Sequence, residues 1–264
     1  MSVRLGFDVH GPDPGRTDAP VLVLGSSVGT TREVWQPQLE AFARGFRVIR
    51  YDHRGHGESE VPPGPYTIAE LGEDVLGLLD GLGVQRFRYA GISLGGMVGM
   101  WLAARTPDRV ERLALCCTSA YLPPAEAWRD RAAAVLRSGM ASIADTVVAR
   151  WFTPDFATGH PDVVAQMRGL LESAPVVGYA GCCEAIAAMD LRELLPRITA
   201  ATLVLAGTQD PATPAEHAGR IVAGVPNSRL ALVEAAHLAT VELAAECTAL
   251  LLEHLLGDDP SGGV

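Results

Sequence analysis

Short apolar runs recur along the chain at Val21 to Leu24, Phe46 to Tyr51, Phe87 to Ala90, Leu113 to Cys117, Leu203 to Ala206 and Leu230 to Val233. Runs of this length without polar alternation predict strands buried on both faces, which is how parallel sheets are built. Helical patterns separate several of them. Thr67-Ile68-Ala69-Glu70 reads as a capping box opening a helix to about Leu82, and Thr213-Pro214-Ala215-Glu216 repeats the device with Pro at the first helical position. Strands alternating with helices predict an α/β fold with a mostly parallel central sheet and helices on both faces. Val3 to Val9 alternates polar and apolar residues, as a half-exposed edge strand does, before the turn-rich Gly11-Pro12-Asp13-Pro14-Gly15.

The alternation stops between Tyr121 and about Arg197, where the patterns are helical throughout. The reading is an α/β core of residues 1–120 and 198–256 with an inserted helical cap of residues 121–197; a second domain packed beside the first is the alternative. With 264 residues, 48% of them hydrophobic, one core of this size can be buried. The tail from Gly257 to Val264 is polar and glycine-rich, and disorder is expected there.

A formal charge of −10 disfavours a nucleic-acid partner, because such binding draws its energy from Lys and Arg neutralising phosphates. The absence of a run of 18 or more apolar residues, and of an apolar stretch after Met1-Ser2-Val3-Arg4, leads to the expectation of no membrane span and no secretory signal. The five cysteines, Cys116, Cys117, Cys182, Cys183 and Cys247, are odd in number and lack C-x-x-C spacing, so buried thiols in a reducing, cytoplasmic compartment are expected rather than disulfides or zinc. Nothing in the patterning specifies an oligomeric state.

Gly91-Ile92-Ser93-Leu94-Gly95 lies between the strand Phe87 to Ala90 and a helical stretch from about Gly96 to Arg105. That is the context of a nucleophile elbow, in which a sharp strand-to-helix turn exposes the serine hydroxyl and the two glycines supply room. The same turn directs the Leu94 N–H and a helix N-terminus toward an oxyanion. Of the seven histidines, His237 follows the strand Leu230 to Val233 by a short loop, at the sheet end where open α/β sheets place their chemistry. His10, His160, His217 and His254 are expected at the surface. His53 and His56 are expected to serve loop geometry held by Asp52 and Arg54. Asp210 leaves the strand Leu203 to Gly207 and is the expected orienting acid; helix capping is its competing role, and Thr213 is expected to fill that one. The order Ser93, Asp210, His237 is that of α/β-hydrolases. A second oxyanion donor is expected from the loop Gly25 to Thr31, at the N–H of Val28.

The stretches Ser27-Val28-Gly29-Thr30-Thr31 with Trp35, Tyr51-Asp52-His53-Arg54-Gly55-His56-Gly57, Gly64-Pro65-Tyr66-Thr67 and Gly91 to Gly99 are similar to those of 3-oxoadipate enol-lactonases. So are Arg150-Trp151-Phe152-Thr153-Pro154, Gly178-Tyr179-Ala180-Gly181-Cys182-Cys183 and Asp210-Pro211-Ala212-Thr213-Pro214. The chain resembles that family from roughly Ala19 to Leu255, with departures at Ser26, where Asn is usual, and at Ala239-Thr240, where Ser-Asn is usual. The departures admit a shifted substrate. The resemblance implies a small-molecule lactone or ester substrate, opening of an enol-lactone to 3-oxoadipate in bacterial aromatic-acid breakdown, and no metal or organic cofactor. Because that substrate carries a carboxylate, a local cation is expected; Arg150 beside Trp151 is the candidate, with a solvated arginine as the alternative. Competing readings are a carboxylesterase or other lactonase, a carbon–carbon bond hydrolase, and a hydrolase-fold receptor without turnover. A serine at the elbow argues against the dehalogenases, whose nucleophile is aspartate.

Overall fold

A computed structural model describes residues 3–12 and 19–257. Among them the expected runs form one sheet of β1 (Phe7–His10), β2 (Val21–Gly25), β3 (Arg47–Tyr51), β4 (Phe87–Ile92), β5 (Val110–Cys116), β6 (Ala201–Gly207) and β7 (Ser228–Val233), in the spatial order β1-β3-β2-β4-β5-β6-β7. All pairings are parallel except β1 with β3, where Phe7 faces Tyr51 and His10 faces Val48. The β1 edge is half-exposed as expected, but the strand covers only Phe7–His10 and its faces are reversed: Phe7 and Val9 are the exposed residues, while Asp8 turns inward to Arg32 and Arg50. The expected turn after it falls largely outside the described residues, as does the tail beyond Gly257.

The last run departs from expectation. Leu230 and Leu232 are 40% and 51% exposed. They lie two residues apart, so they share a face, and β7 is the terminal strand with that face uncovered. Apolar composition alone could not separate an edge strand from a central one.

Helices α1 (Gln36–Ala43), α2 (Ile68–Gly81) and α3 (Leu94–Arg105) fall between strands of the first half. The Thr67 hydroxyl accepts the Glu70 N–H at 3.1 Å, which starts α2 as the capping box predicts. Between β5 and β6 every regular element is helical: α4 (Ala125–Ser138), α5 (Ala141–Val148), α6 (Pro154–Gly159), α7 (Pro161–Ser173), α8 (Val176–Ala188) and a 3₁₀ turn, Arg192–Arg197. The chain then returns through α9 (Ala215–Gly224), α10 (Ala239–Glu242) and α11 (Ala244–Leu256). No described helix is long and apolar enough to cross a membrane, and all five cysteines are free and buried.

His254 corrects the expectation of a surface residue. It sits on the inner side of α11, where its Nε2 donates to the Leu113 carbonyl at 3.0 Å while Arg112 donates to the His254 carbonyl. Burial lowers its pKa to about 4, against the raising effect of the Leu113 carbonyl. Because the unfolded chain binds this proton near pH 6.5 and the folded one near 4, stability is full above pH 6.5 and falls as pH drops through that window. His53, lowered by burial to about 3, acts in the same direction. The melting temperature is therefore expected to decline progressively from pH 6.5 toward pH 4, with His254→Gln flattening part of the decline.

Candidate active site

Strand β4 ends at Ile92, and Ser93 follows with φ 53° and ψ −112°, a left-handed conformation that a non-glycine residue holds only under external constraint. The constraints are visible. The Ser93 N–H donates to Cys116 at 2.9 Å, its carbonyl accepts the Thr118 hydroxyl at 2.6 Å, and the Tyr89 hydroxyl donates to the Gly95 carbonyl at 2.9 Å. A Cβ on Gly91 would lie 2.3 Å from Gly95 backbone atoms, and one on Gly95 would lie 2.3 Å from the Gly25 carbonyl oxygen. Both glycines are thus required by backbone contact, as the elbow spacing predicts. Leu94 begins α3, so its N–H has no acceptor within the helix.

Asp210 and His237 meet beyond the ends of β6 and β7. The two loops cross at Gly207, where a Cβ would lie 2.3 Å from the Ala235 carbonyl oxygen, and the Gln209 N–H donates to that carbonyl at 3.0 Å. Asp210 Oδ1 accepts the N–H groups of Ala212 and Thr213 at 2.7 and 3.0 Å. Oδ2 takes the Thr213 hydroxyl at 2.7 Å and His237 Nδ1 at 2.8 Å. Burial raises the Asp210 pKa, but the charge and hydrogen bond of His237 and the bonds from Thr213 outweigh it, so the carboxyl stays below its ordinary value. The carboxylate accepts from Nδ1–H, which leaves Nε2 with a lone pair. Thr213 does not cap the following helix: α9 begins behind Pro214 without a side-chain cap, because the threonine hydroxyl is committed to Asp210.

The loop after β2 is held from outside by two buried histidines. His53 Nε2 donates to the Ser26 carbonyl at 2.9 Å, and His56 Nε2 accepts the Gly29 N–H at 2.9 Å. Burial keeps both rings at lowered pKa, hence neutral, which the acceptor role of His56 requires. Asp52 and Arg54 do order their own turn, through Arg32 and Asp74 respectively. The histidines, however, reach across to fix the neighbouring loop. Ser26 also accepts the Gly95 N–H at 2.9 Å, tying this loop to the elbow and presenting Val28 to the same space.

Ser93 and His237, each 5% exposed, open on a cavity of about 180 Å³ that Ser27, Val28, Thr213, Arg150 and Trp151 also line. Arg150 follows α5 in a turn and is exposed, whereas Trp151 is buried. Their backbone matters as well. The Arg150 carbonyl accepts the His237 N–H at 3.4 Å, and the Trp151 carbonyl accepts the Leu238 N–H at 2.9 Å. Glu242 closes this strap, accepting the Ala236 N–H at 2.9 Å and, from the other side, the Thr153 N–H at 3.3 Å and the Thr153 hydroxyl.

Sequence reasoning missed Trp128 and Arg131 on α4, which line the same cavity. The Arg131 guanidinium lies 4.4 Å from the Trp128 ring centroid, is half-buried, and forms no ion pair with any carboxylate among the described residues. Their i, i+3 spacing puts them on one helix face, and that was the available signal.

The arrangement is an imidazole backed by a carboxylate, sharing a small cavity with a strained serine, the Val28 and Leu94 backbone and two arginines. A family model described as alpha/beta hydrolase fold matches residues 20–242. The chain is 41% identical over 228 residues to 3-oxoadipate enol-lactonase 2 of Acinetobacter baylyi, covering 86% of this chain and 85% of that protein. It is 33% identical over 238 residues to 3-oxoadipate enol-lactonase 1 of the same organism, covering 90% and 88%. The crystal structure of the enol-lactonase from Burkholderia xenovorans LB400 superposes with a TM-score of 0.94 at 40% identity, over 97% of each chain. The chain belongs to the 3-oxoadipate enol-lactonase family of α/β-hydrolases and is a hydrolase of the ester and lactone type.

Proposed function

We propose that this chain hydrolyses 3-oxoadipate enol-lactone to 3-oxoadipate through an acyl-enzyme on Ser93, as a cytoplasmic step in bacterial aromatic-acid catabolism. The observation that carries the substrate is the cavity itself. Two arginines, Arg131 and Arg150, wall the space into which Ser93 opens, in a protein of formal charge −10. A carboxylate-bearing lactone accounts for both cations, and a neutral ester accounts for neither. The helical segment 121–197 supplies both arginines and Trp151, and serves as the cap over the site.

Ser93 Oγ attacks the lactone carbonyl as His237 Nε2 takes its proton, and the N–H groups of Val28 and Leu94 hold the oxyanion. Collapse breaks the acyl carbon–oxygen bond of the ring. The departing oxygen is that of an enol, a better leaving group than an alkoxide; His237 returns the proton to it, and the enol rearranges to the 3-oxo group. Water deprotonated by His237 then attacks the acyl carbon and releases Ser93, while Asp210 stabilises the imidazolium in both halves.

Turnover of the enol-lactone made from muconolactone should exceed that of short p-nitrophenyl esters in kcat/KM; a strong preference for the esters overturns the substrate assignment. Arg131→Ala is expected to lower kcat/KM for the lactone by about 10- to 100-fold, the range for one charge-assisted hydrogen bond in a half-buried site. Arg150→Ala should raise KM by a smaller, salt-dependent factor, because its guanidinium stands in solvent where charge is screened. An unchanged KM in Arg150→Ala removes that residue from the substrate site.

A further inference from the structure

The exposed leucines of β7 lie on a strand whose hydrogen-bonding directions are fixed at its two ends. The Asn227 carbonyl accepts the Thr202 N–H at 2.8 Å, and the Val233 carbonyl accepts the Thr208 N–H at 2.9 Å. In a parallel ladder alternate residues face the same neighbour, so Asn227, Arg229, Ala231 and Val233 turn their backbone groups toward β6. The N–H and C=O of Leu230 and Leu232 therefore point away from the sheet, and among the described residues β7 pairs with no strand but β6. Their side chains lie on the α9 face, since the Ser228 hydroxyl on that face sits 3.1 and 2.8 Å from the Val222 and Val225 carbonyls. Natural proteins blunt exposed edges with charge, proline or bulges, because unpaired backbone groups recruit another strand. The opposite edge follows this rule: β1 is short, and its Asp8 turns inward to Arg32 and Arg50. On β7 the stretch Leu230-Ala231-Leu232-Val233 holds no charge or proline, and its pairing with β6 runs from Ser228 to Val233 without a register shift.

We propose that β7 is the interface between two copies of this chain, joined edge to edge and antiparallel about a two-fold axis through Ala231. The strand's own pattern selects that register. It sets Leu230 opposite the partner's Leu232, and Leu232 opposite the partner's Leu230, as hydrogen-bonded pairs, so every outward N–H and C=O of both leucines is satisfied. Each leucine meets a leucine on the same sheet face. Ala231 meets the partner's Ala231 in the close, non-hydrogen-bonded position, about 4.5 Å between Cα atoms, where a small side chain fits. A shift of two residues in either direction would set a leucine opposite Ser228 or Glu234 instead. Arg229 stands opposite the partner's Val233, so like charges do not confront each other. The two-fold closes the contact, and association stops at two copies. A strand pair alone falls short of the ~800 Å² per partner of a standard interface, so the expected dimer is reversible rather than permanent.

Sedimentation velocity between about 1 and about 200 µM should show the chain passing from monomer to dimer. Leu232→Pro removes one outward N–H per copy and leaves the bonds to β6 in place; it should weaken dimerisation by about 100-fold, through two lost backbone bonds and two lost leucine contacts. Leu230→Lys keeps the backbone donors but brings like charges together across the axis, with a loss of the same size. Wild-type turnover in either variant shows that it is folded. Amide exchange gives a separate readout: the Leu230 and Leu232 amides should slow by at least about 10-fold as concentration rises, whereas those of Arg229, Ala231 and Val233, which donate to β6, stay slow throughout. A chain that remains monomeric at about 200 µM overturns the proposal. So does a dimer that survives both substitutions, since it must use another face. Slow exchange at Leu230 and Leu232 that is independent of concentration also overturns it, and assigns the edge to residues of the same chain, such as 258–264.

Discussion

Ser93→Ala is expected to lower kcat by about 10⁴- to 10⁶-fold, leaving only the residual rate supplied by the oxyanion donors and substrate positioning. The substitution deletes one oxygen from a position whose backbone is held by Cys116 and Thr118, so the fold and the cavity walls stay in place. Circular dichroism should be unchanged. A fluorophosphonate probe should label the wild type and spare the variant, which also separates an enzyme from a hydrolase-fold receptor. More than about one part in a hundred of wild-type turnover in the variant is incompatible with nucleophilic catalysis by Ser93.

Asp210→Asn should lower kcat by about 10⁴-fold, the loss known for the equivalent change in a serine protease. The cause can be traced atom by atom. Asp210 Oδ1 accepts two backbone N–H groups, from Ala212 and Thr213, so an asparagine must place its carbonyl oxygen there. Its amide nitrogen is then forced into the position of Oδ2, facing His237 Nδ1. A donor meeting Nδ1 selects the opposite tautomer, with the proton on Nε2, and such a ring has no lone pair to accept the Ser93 proton. Asp210→Ala, which imposes no tautomer, should be less impaired than Asp210→Asn in kcat although it loses more stability. The reverse order would mean that Asp210 works by charge alone. Steady-state kinetics on the two variants, with melting temperatures alongside, decides between these.

The features legible in the sequence are those whose causes are local. The elbow is written in the spacing of Gly91 and Gly95, and the Gly91 contact lies within the turn itself, although Gly95 is required by Gly25 on the neighbouring strand β2. The capping box at Thr67 and Glu70 involves residues three apart. His237 and Asp210 could be picked out because both follow directly on strands. What escaped depends on partners distant in the chain. The exposure of Leu230 and Leu232 follows from the place of β7 at the sheet edge, which is decided by topology. His254, on α11, is buried against β5, where Leu113 presents a carbonyl to it. Thr213 abandons its cap for Asp210, and His53 and His56 clamp a loop 27 residues earlier. Nothing in the sequence separates Arg131 from the other charges of its helix; its place is set by the packing of α4 against the cavity.

The strap from Arg150 to Thr153 carries a lesson for engineering. Hydrolases of this architecture invite the exchange of one helical segment for another, as if substrate range were a separable cartridge. Here the donor segment also grips the backbone on both sides of His237, the proposed general base, through Leu238 and through Glu242. A chimera that imports foreign helices but not a matching turn and carboxylate would inherit a new pocket and a loosened base together. Segments 150–153 and 236–242 therefore form one heritable unit, and recombination that keeps them paired should yield active hybrids more often than recombination that splits them.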